Sequence, residues 1–221
     1  MKNLKKTDVL LAFIIGGVDA LIVVLIAKNL AVEIPVIEIA LRFRNVFIIA
    51  LPLLCVAVLI LSHYLSRTIP VVHQFSKFTL VGSLNFLIDM GVLNFLIFYT
   101  GISAGLTQSV FKGISFTAAV INSYVWNKFW TFDHATTKGV GKEFFQFLVI
   151  STIGFFINLG VDYFFVNIVH PFFGMYAKSW AQFSAMIASI IALFWNFIGY
   201  KFIVFEAKQK EASPVELHTR Q

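Results

Sequence analysis

Carboxylate and amide side chains lie inside apolar stretches of this sequence. Asp89 stands in the middle of Ser83–Phe95, SLNFLIDMGVLNF. A carboxylate within a membrane helix costs about 2.5–3.5 kcal/mol on insertion scales unless something compensates it. Asn85 precedes Asp89 by four residues, and Asn158 precedes Asp162 by four. On a helix this spacing puts both members of a pair on one face, so each pair predicts a polar stripe.

These residue types indicate two kinds of chemistry. Carboxylate and amide groups hydrogen-bond to sugar hydroxyls, which need donors and acceptors that hydrocarbon lacks. The same groups also fix helices together, at about 0.6 kcal/mol per contact. Asp19 is open to both interpretations, with bundle pairing favoured. The candidate substrate-binding residues are Asn85, Asp89, Asn122, Asn127, Asn158 and Asp162.

Three lysines lie at the ends of apolar runs on one predicted side of the membrane. Lys77 precedes one run, while Lys128 and Lys201 follow two others. Together they would hold the phosphate of a lipid carrier at headgroup depth by Coulomb attraction. The alternative is the ordinary anchoring of membrane helices by cytoplasmic basic residues.

Motifs for catalysis or metal binding are missing from the sequence. The five histidines are scattered, and Cys55 is the only cysteine. The histidines do not have the spacing of a zinc site, and a lone cysteine cannot form one. We also find no nucleophile elbow or phosphate-cradling glycine loop. We therefore predict no catalytic residue, no metal, no cofactor and no enzymatic activity.

The composition indicates an integral membrane protein. Hydrophobic residues make up 59% of the 221 residues and charged residues 13%, with a mean hydropathy of +0.86. A soluble domain is about one-quarter charged, so this chain lacks the polar surface for water. The net charge of +6 does not indicate nucleic acid, because the basic residues cluster between apolar runs. That pattern is typical of topology signals and contacts with anionic lipids.

Six apolar runs approach the roughly 20 residues that a membrane-spanning helix needs. The runs are Val9–Ala27, Val46–Leu65, Phe78–Thr100, Leu106–Asn127, Phe144–Asn167 and Ser179–Tyr200. With the N-terminus inside, most of the 17 lysines and arginines fall on the cytoplasmic side, and Lys112 counts among the few outside. This excess predicts that both termini are cytoplasmic.

Three regions follow from these runs. Residues 1–70 form a transmembrane hairpin, whose connection Leu30–Asn45 is either an amphipathic helix on the outer surface or an ordinary loop. Residues 71–206 form a four-helix transmembrane domain. Residues 207–221 are polar and aperiodic, and we expect a cytoplasmic tail.

The four-helix domain contains an internal repeat, residues 75–133 and 144–206. Phe78–Phe95, FTLVGSLNFLIDMGVLNF, aligns with Phe147–Phe164, FLVISTIGFFINLGVDYF. Later in each unit KFWTFD matches KFIVFE, in the same order and at nearly the same spacing. Each copy holds two crossings, so the sequence predicts two parallel-repeat helical hairpins. The predicted fold is thus all-α, with six transmembrane helices.

The residues from Phe75 to Glu206 resemble the GtrA-like family. The resemblance depends on F-x-x-x-G with a later polar residue in the first helix, and on N-[RK]-x-[WF]-x-F near the end of the second. The matching residues are Phe78, Gly82, Asp89, Asn127, Lys128, Trp130 and Phe132. Lys128 replaces the arginine of many members, so a phosphate there would meet a point charge and not a bidentate fork. The N-terminal hairpin is additional to the family pattern.

The resemblance implies a flippase in the bacterial cytoplasmic membrane. Its substrate would be a polyprenyl-phosphate-linked monosaccharide used in cell-surface polysaccharide synthesis or glycan modification. Two alternatives remain open: a non-catalytic anchor or accessory subunit of a membrane glycosyltransferase, and a small ion-coupled transporter. Expected partners are the lipid-linked sugar, membrane lipids and, in the second case, the glycosyltransferase. Four repeat helices make a small pathway, which is compatible with a homo-oligomer.

Overall fold

The described chain is helical throughout its regular structure. A computed structural model describes residues 4–31, 36–134, 139–169, 171 and 176–205. Within these ranges there is no strand, as the sequence predicts. The helices are α1 (Lys6–Ala31), α2 (Val36–Leu41), α3 (Arg44–Leu65), α4 (Val71–Thr100), α5 (Gly105–Trp126), α6 (Val140–Asn167) and α7 (Ala177–Gly199). The expected tail, residues 207–221, and Glu206 lie outside the described residues.

Five helical segments in the described ranges are long and apolar enough to cross a membrane. They are α1, α3, α4, α6 and Phe183–Phe205, which extends α7. These segments make the chain a multi-pass membrane protein. Helix α5 coincides with the fourth expected span and has 22 residues. Its polar side chains, Lys112 among them, keep it out of this apolar set.

Local sequence explains where the helices end. Helix α4 begins at Val71, earlier than the apolar run, and ends at Thr100, where it is capped by Gly101, whose φ of 71° suits glycine. Helices α5 and α7 each continue into a π-helical turn, Asn127–Thr131 and Tyr200–Phe205. The K-F-x-x-F sequence starts at the second residue of each turn. In the first turn the amide of Phe132 donates to the carbonyl of Asn127 at 2.9 Å, five residues back.

Residues 1–133 form one compact unit. Helix α1 packs against α3 and α4, and α4 packs against α5. A Cβ on Gly16 would lie 2.6 Å from the Cα of Pro52, so only glycine allows α1 and α3 to approach this closely. The core side chains are Ala12, Ile15, Cys55, Leu59, Leu80, Val81, Leu84 and Trp130. The helices α1 and α3 are therefore packed against α4.

The described residues between 134 and 205 form the second compact unit. In its described part, α6 packs against α7 as an antiparallel pair. Gly154 lies directly against the side-chain amide of Asn196. Phe147 stacks on Tyr200 with 4.4 Å between ring centroids, and the Tyr200 and Ser151 hydroxyls are 2.6 Å apart. In the described part of this unit, two helices form a hairpin, and no further helices correspond to α1 and α3.

Candidate functional site

Asp89 is neutralised from the neighbouring helix α5. The Nζ of Lys112 lies 2.5 Å from one Asp89 oxygen, and the Ser115 hydroxyl donates to the other at 2.6 Å. The Asp89 side chain is 21% exposed and that of Lys112 is 46% exposed, while Ser115 is fully buried. Lys112 therefore lies within a helix as a counterion, whereas the sequence analysis assigned it to an outer segment. Asp89 and Lys112 form a partly exposed charge pair between α4 and α5.

Asn85 and Asn122 meet one turn of α4 away from this charge pair. The Asn122 amide nitrogen donates to the Asn85 side-chain oxygen at 2.6 Å. Asn85 and Asp89 thus both point to α5, on one face of α4, as their spacing implies. Asn127, at the start of the π-helical turn, is buried and donates to the carbonyl of Ser123 at 2.9 Å. We call Asn85, Asp89, Lys112, Ser115 and Asn122 the α4–α5 polar cluster.

The second hairpin carries a simpler polar face. Asn158 donates to the Ser189 hydroxyl at 3.3 Å, and Asp162 accepts a hydrogen bond from the buried Ser184 hydroxyl at 2.8 Å. Both serines lie on α7. Among the side chains that the structure describes, no basic group forms an ion pair with Asp162. Like Asp89, Asp162 is only partly buried.

Helix α1 contributes polar contacts to α4. The Ser83 hydroxyl donates to one oxygen of Asp19 at 2.8 Å, and Asn29 donates to Asn94 at 2.6 Å. Asp19 is 2% exposed, and its other oxygen has no hydrogen-bond partner among the described residues. These contacts match the bundle-pairing interpretation of Asp19.

Lys77 is held by a carboxylate that the sequence analysis did not single out. Its Nζ lies 2.7 Å from Asp8, which also accepts a hydrogen bond of 3.0 Å from the Trp130 indole. The Lys77 side chain is 11% exposed and Asp8 is 8% exposed. A phosphate can reach Lys77 only by displacing Asp8 from a buried site. The interaction fixes α1 and α4 to the first π-helical turn.

Ser62, His73 and Asp8 include the residue types of a hydrolase triad but lack its geometry. The Ser62 hydroxyl is 3.3 Å from His73 Nδ1, and His73 Nε2 is 3.6 Å from Asp8. These distances exceed the range for general-base activation. The Ser62 hydroxyl already donates to the carbonyl of Leu59 at 2.7 Å, and Asp8 is neutralised by Lys77. The cluster therefore serves packing between α1, α3 and α4.

Lys128 and Lys201 occupy matching positions in the two π-helical turns. Lys128 is 2% exposed, and its Nζ lies 3.3 Å from the Tyr124 hydroxyl. Lys201 is partly exposed, with its Nζ 5.4 Å from the centre of the Phe202 ring. Of the three predicted phosphate-binding lysines, Lys77 and Lys128 are thus buried and Lys201 is accessible.

Three groups in these sites were not predicted from the sequence. They are Asp8, Lys112, and the serines Ser115 and Ser184, each of which donates to a carboxylate. A signal for Lys112 was present, because Lys112 and Asp89 are opposite charges in successive apolar runs, and such charges predict pairing. Asp8 carried none, since it precedes the first apolar run and lies close to Lys5 and Lys6. The serines carried no such signal, because hydroxyls are common in membrane helices.

Comparisons with known proteins place the chain in a family. The family model described as GtrA/DPMS, transmembrane domain, matches residues 77–210. The chain is also similar to the uncharacterized membrane protein YngA of Bacillus subtilis, with 34% identity over 129 residues, which cover 58% of this chain and 77% of that protein. No solved structure matches. The family model spans more than half of the sequence, and the chain therefore belongs to the GtrA/DPMS family of membrane proteins.

Proposed function

We propose that this chain is a flippase, which translocates a polyprenyl-phosphate-linked monosaccharide across the bacterial cytoplasmic membrane without a catalytic step. One observation carries the proposal. The α4–α5 polar cluster offers a charge pair and an amide pair at partly exposed positions between the apolar helix α4 and its neighbour α5. Sugar hydroxyls and a phosphate need such groups when they leave water.

The proposal includes a membrane arrangement. Helix α5 is taken as a sixth span, α4–α5 and α6–α7 as parallel repeats, and both termini as cytoplasmic. The two π-helical turns support the repeat, because they fall on the matching K-F-x-x-F sequences at equivalent points. The excess of basic residues on one side supports the orientation.

The substrate would be divided among three environments. The polyprenyl chain stays in lipid, the sugar contacts the α4–α5 polar cluster, and the phosphate contacts a lysine. Asn158 and Asp162 offer a second polar face in the other hairpin. Transport would be driven by the gradient of the substrate or by an ion.

The test is translocation in proteoliposomes that contain only this chain. A short-chain polyprenyl-phosphate sugar is loaded, and a membrane-impermeant probe reports its arrival on the other side. We expect flipping by the wild type and a loss of at least tenfold in Asp89→Leu. Glu38→Leu is the control, because it removes an exposed carboxylate on α2. No flipping by a folded wild type, together with co-purification of a glycosyltransferase, would favour the accessory-subunit alternative.

The ion-coupled transporter has one observation in its favour. Asp162 is held by a serine hydroxyl without a described basic partner, which suits a carboxylate that binds and releases a proton. It predicts pH-dependent uptake of a soluble cation that is lost in Asp162→Asn. Uptake that needs no lipid carrier would replace the flippase proposal.

A further inference from the structure

We propose that Lys112 binds the phosphate-ester anion of the ligand, and that Asp89 is the resident counterion which this anion displaces. The inference rests on the proposed function for the lipid nature of the ligand, whereas the anion site rests on the geometry alone. It assigns the phosphate to a residue within α5 and not to the three lysines at the helix ends.

Accessibility favours Lys112. Its side chain is 46% exposed, against 11% for Lys77, which is held by the buried Asp8. Lys128 is 2% exposed. Lys201 is accessible, but the contact recorded for its Nζ is the Phe202 ring, and no polar group of the described chain accompanies it. Lys112 alone among these four joins an accessible charge to a set of hydrogen-bonding groups.

The existing ion pair explains how the site stays in an apolar environment without ligand. Lys112 and Asp89 neutralise each other, so the hairpin carries no net charge there. The phosphodiester of a lipid-linked sugar carries one negative charge and takes the place of the carboxylate at Nζ, so the charge of Lys112 stays compensated while Ser115 still donates to Asp89.

Ser115 gives the displaced carboxylate a second role. The serine is fully buried and donates to Asp89 at 2.6 Å, so it holds the carboxylate in place after Lys112 turns to the phosphate. The released Asp89 oxygen then accepts a hydrogen bond from a sugar hydroxyl. Asn85 lies one helical turn away, about 6 Å along the axis, which is the scale of one sugar ring. One charge pair thereby holds both ends of a sugar phosphate.

Direct binding tests this inference without any transport. The probe is a short-chain prenyl phosphate, added to the full chain in detergent, with affinity measured by calorimetry. We expect Lys112→Met to weaken binding at least tenfold and Lys112→Arg to retain most of it. Lys28→Met is the matched control, because it removes the same charge from an exposed lysine on α1. Equal affinity in the wild type and Lys112→Met overturns the inference.

Asp89→Asn distinguishes displacement from simple charge attraction. This variant keeps the side-chain size but frees Lys112, so we expect it to bind prenyl phosphate several-fold more tightly than the wild type. An affinity that is unchanged or lower, in a variant that melts within a few degrees of the wild type, overturns the role of Asp89 as the displaced counterion.

Inorganic phosphate separates the two sources of the anion. At least a tenfold preference for prenyl phosphate supports a lipid ligand. Equal affinity for inorganic phosphate that Lys112→Met also removes supports the anion site but contradicts a lipid substrate. Binding that depends on Lys112, in a chain that does not flip lipid, likewise upholds this inference and rejects the proposed function.

Discussion

The two hairpins place a carboxylate in an apolar helix and compensate it in different ways. In α4–α5, Asp89 meets a lysine and a serine, and Asn85 pairs with Asn122. In α6–α7, Asp162 meets only Ser184 within the described chain. The position aligned with Asn85 is Gly154, which makes room for Asn196. The framework and the K-F-x-x-F turns are thus alike, while the polar chemistry differs.

The two hairpins also differ in the helices that neighbour them. Helix α1 contacts α4 through the buried Asp8–Lys77 ion pair, the Ser83–Asp19 hydrogen bond and the Asn29–Asn94 hydrogen bond. The described part of the second unit has no such additional helices. The hairpin with the charged polar cluster is therefore also the one that the N-terminal helices brace. The α4–α5 hairpin is therefore the more elaborate of the two, in both its polar groups and its packing.

The largest expected effect is on the buried ion pair that braces the first hairpin. Lys77→Met leaves Asp8 buried with no cation at 2.7 Å, and this should lower the free energy of unfolding by about 3–5 kcal/mol. The measurement is unfolding by SDS titration in mixed micelles. The matched control is Gln146→Met, at the aligned position of the second hairpin, which should change little. Asp8→Leu added to Lys77→Met should restore most of the stability, and a double variant as unstable as the single one would contradict this account.

A smaller effect should distinguish the packing of the two units. Gly16→Ala drives a methyl group into the backbone of Pro52, and overpacking of this kind costs about 1–3 kcal/mol. Gly154→Ala meets only the end of the Asn196 side chain, which can rotate, so its loss should be smaller. Gly160→Ala is the control, because no atom lies within 4 Å of the added carbon. Equal losses at Gly16 and Gly154, in the same SDS titration, would mean that the N-terminal helices are no more tightly packed than the second hairpin.

The serines that contact the two carboxylates give a direct contrast. Ser184→Ala removes the side-chain donor of Asp162, and we expect a loss of about 1.5 kcal/mol, near the upper end for membrane hydrogen bonds. Ser115→Ala leaves Asp89 with Lys112, so we expect about 0.5 kcal/mol. Melting temperatures in detergent show which of the two variants loses more stability. The reverse order would show that Lys112 does not compensate Asp89 in solution.

An effect of similarly small size concerns the amide pair. Asn122→Leu removes the donor to Asn85 and should lower the free energy of unfolding by about 0.6 kcal/mol, the average for such contacts. The free energy of substrate binding should fall by more than the free energy of unfolding does, because the sugar loses a polar contact. If stability falls by several kcal/mol while binding is unchanged, Asn122 belongs to the framework and not to the site.

Sequence patterns predicted the helices well and the contacts between them only in part. Apolar runs located the spans, and the four-residue spacing of Asn85 and Asp89 placed them on one face. Whether Asp89 meets Lys112 depends on how far α4 slides along α5, and periodicity within one helix carries no information on this register. Asp8 and Lys77 are separated by 69 positions, and their contact needs α1 folded back on α4. The terminal lysines looked accessible because burial by a neighbouring helix is invisible in sequence.

The most direct test of the account is flipping by the double variant Asp89→Leu/Lys112→Met. Both charges are removed together, so no unpaired group is left and the hairpin should remain folded. If the charge pair binds substrate, proteoliposomes with this variant should flip the short-chain polyprenyl-phosphate sugar at least tenfold more slowly than the wild type, with an unchanged melting temperature. Flipping at the wild-type rate would show that the pair only joins α4 to α5, and would contradict the central claim.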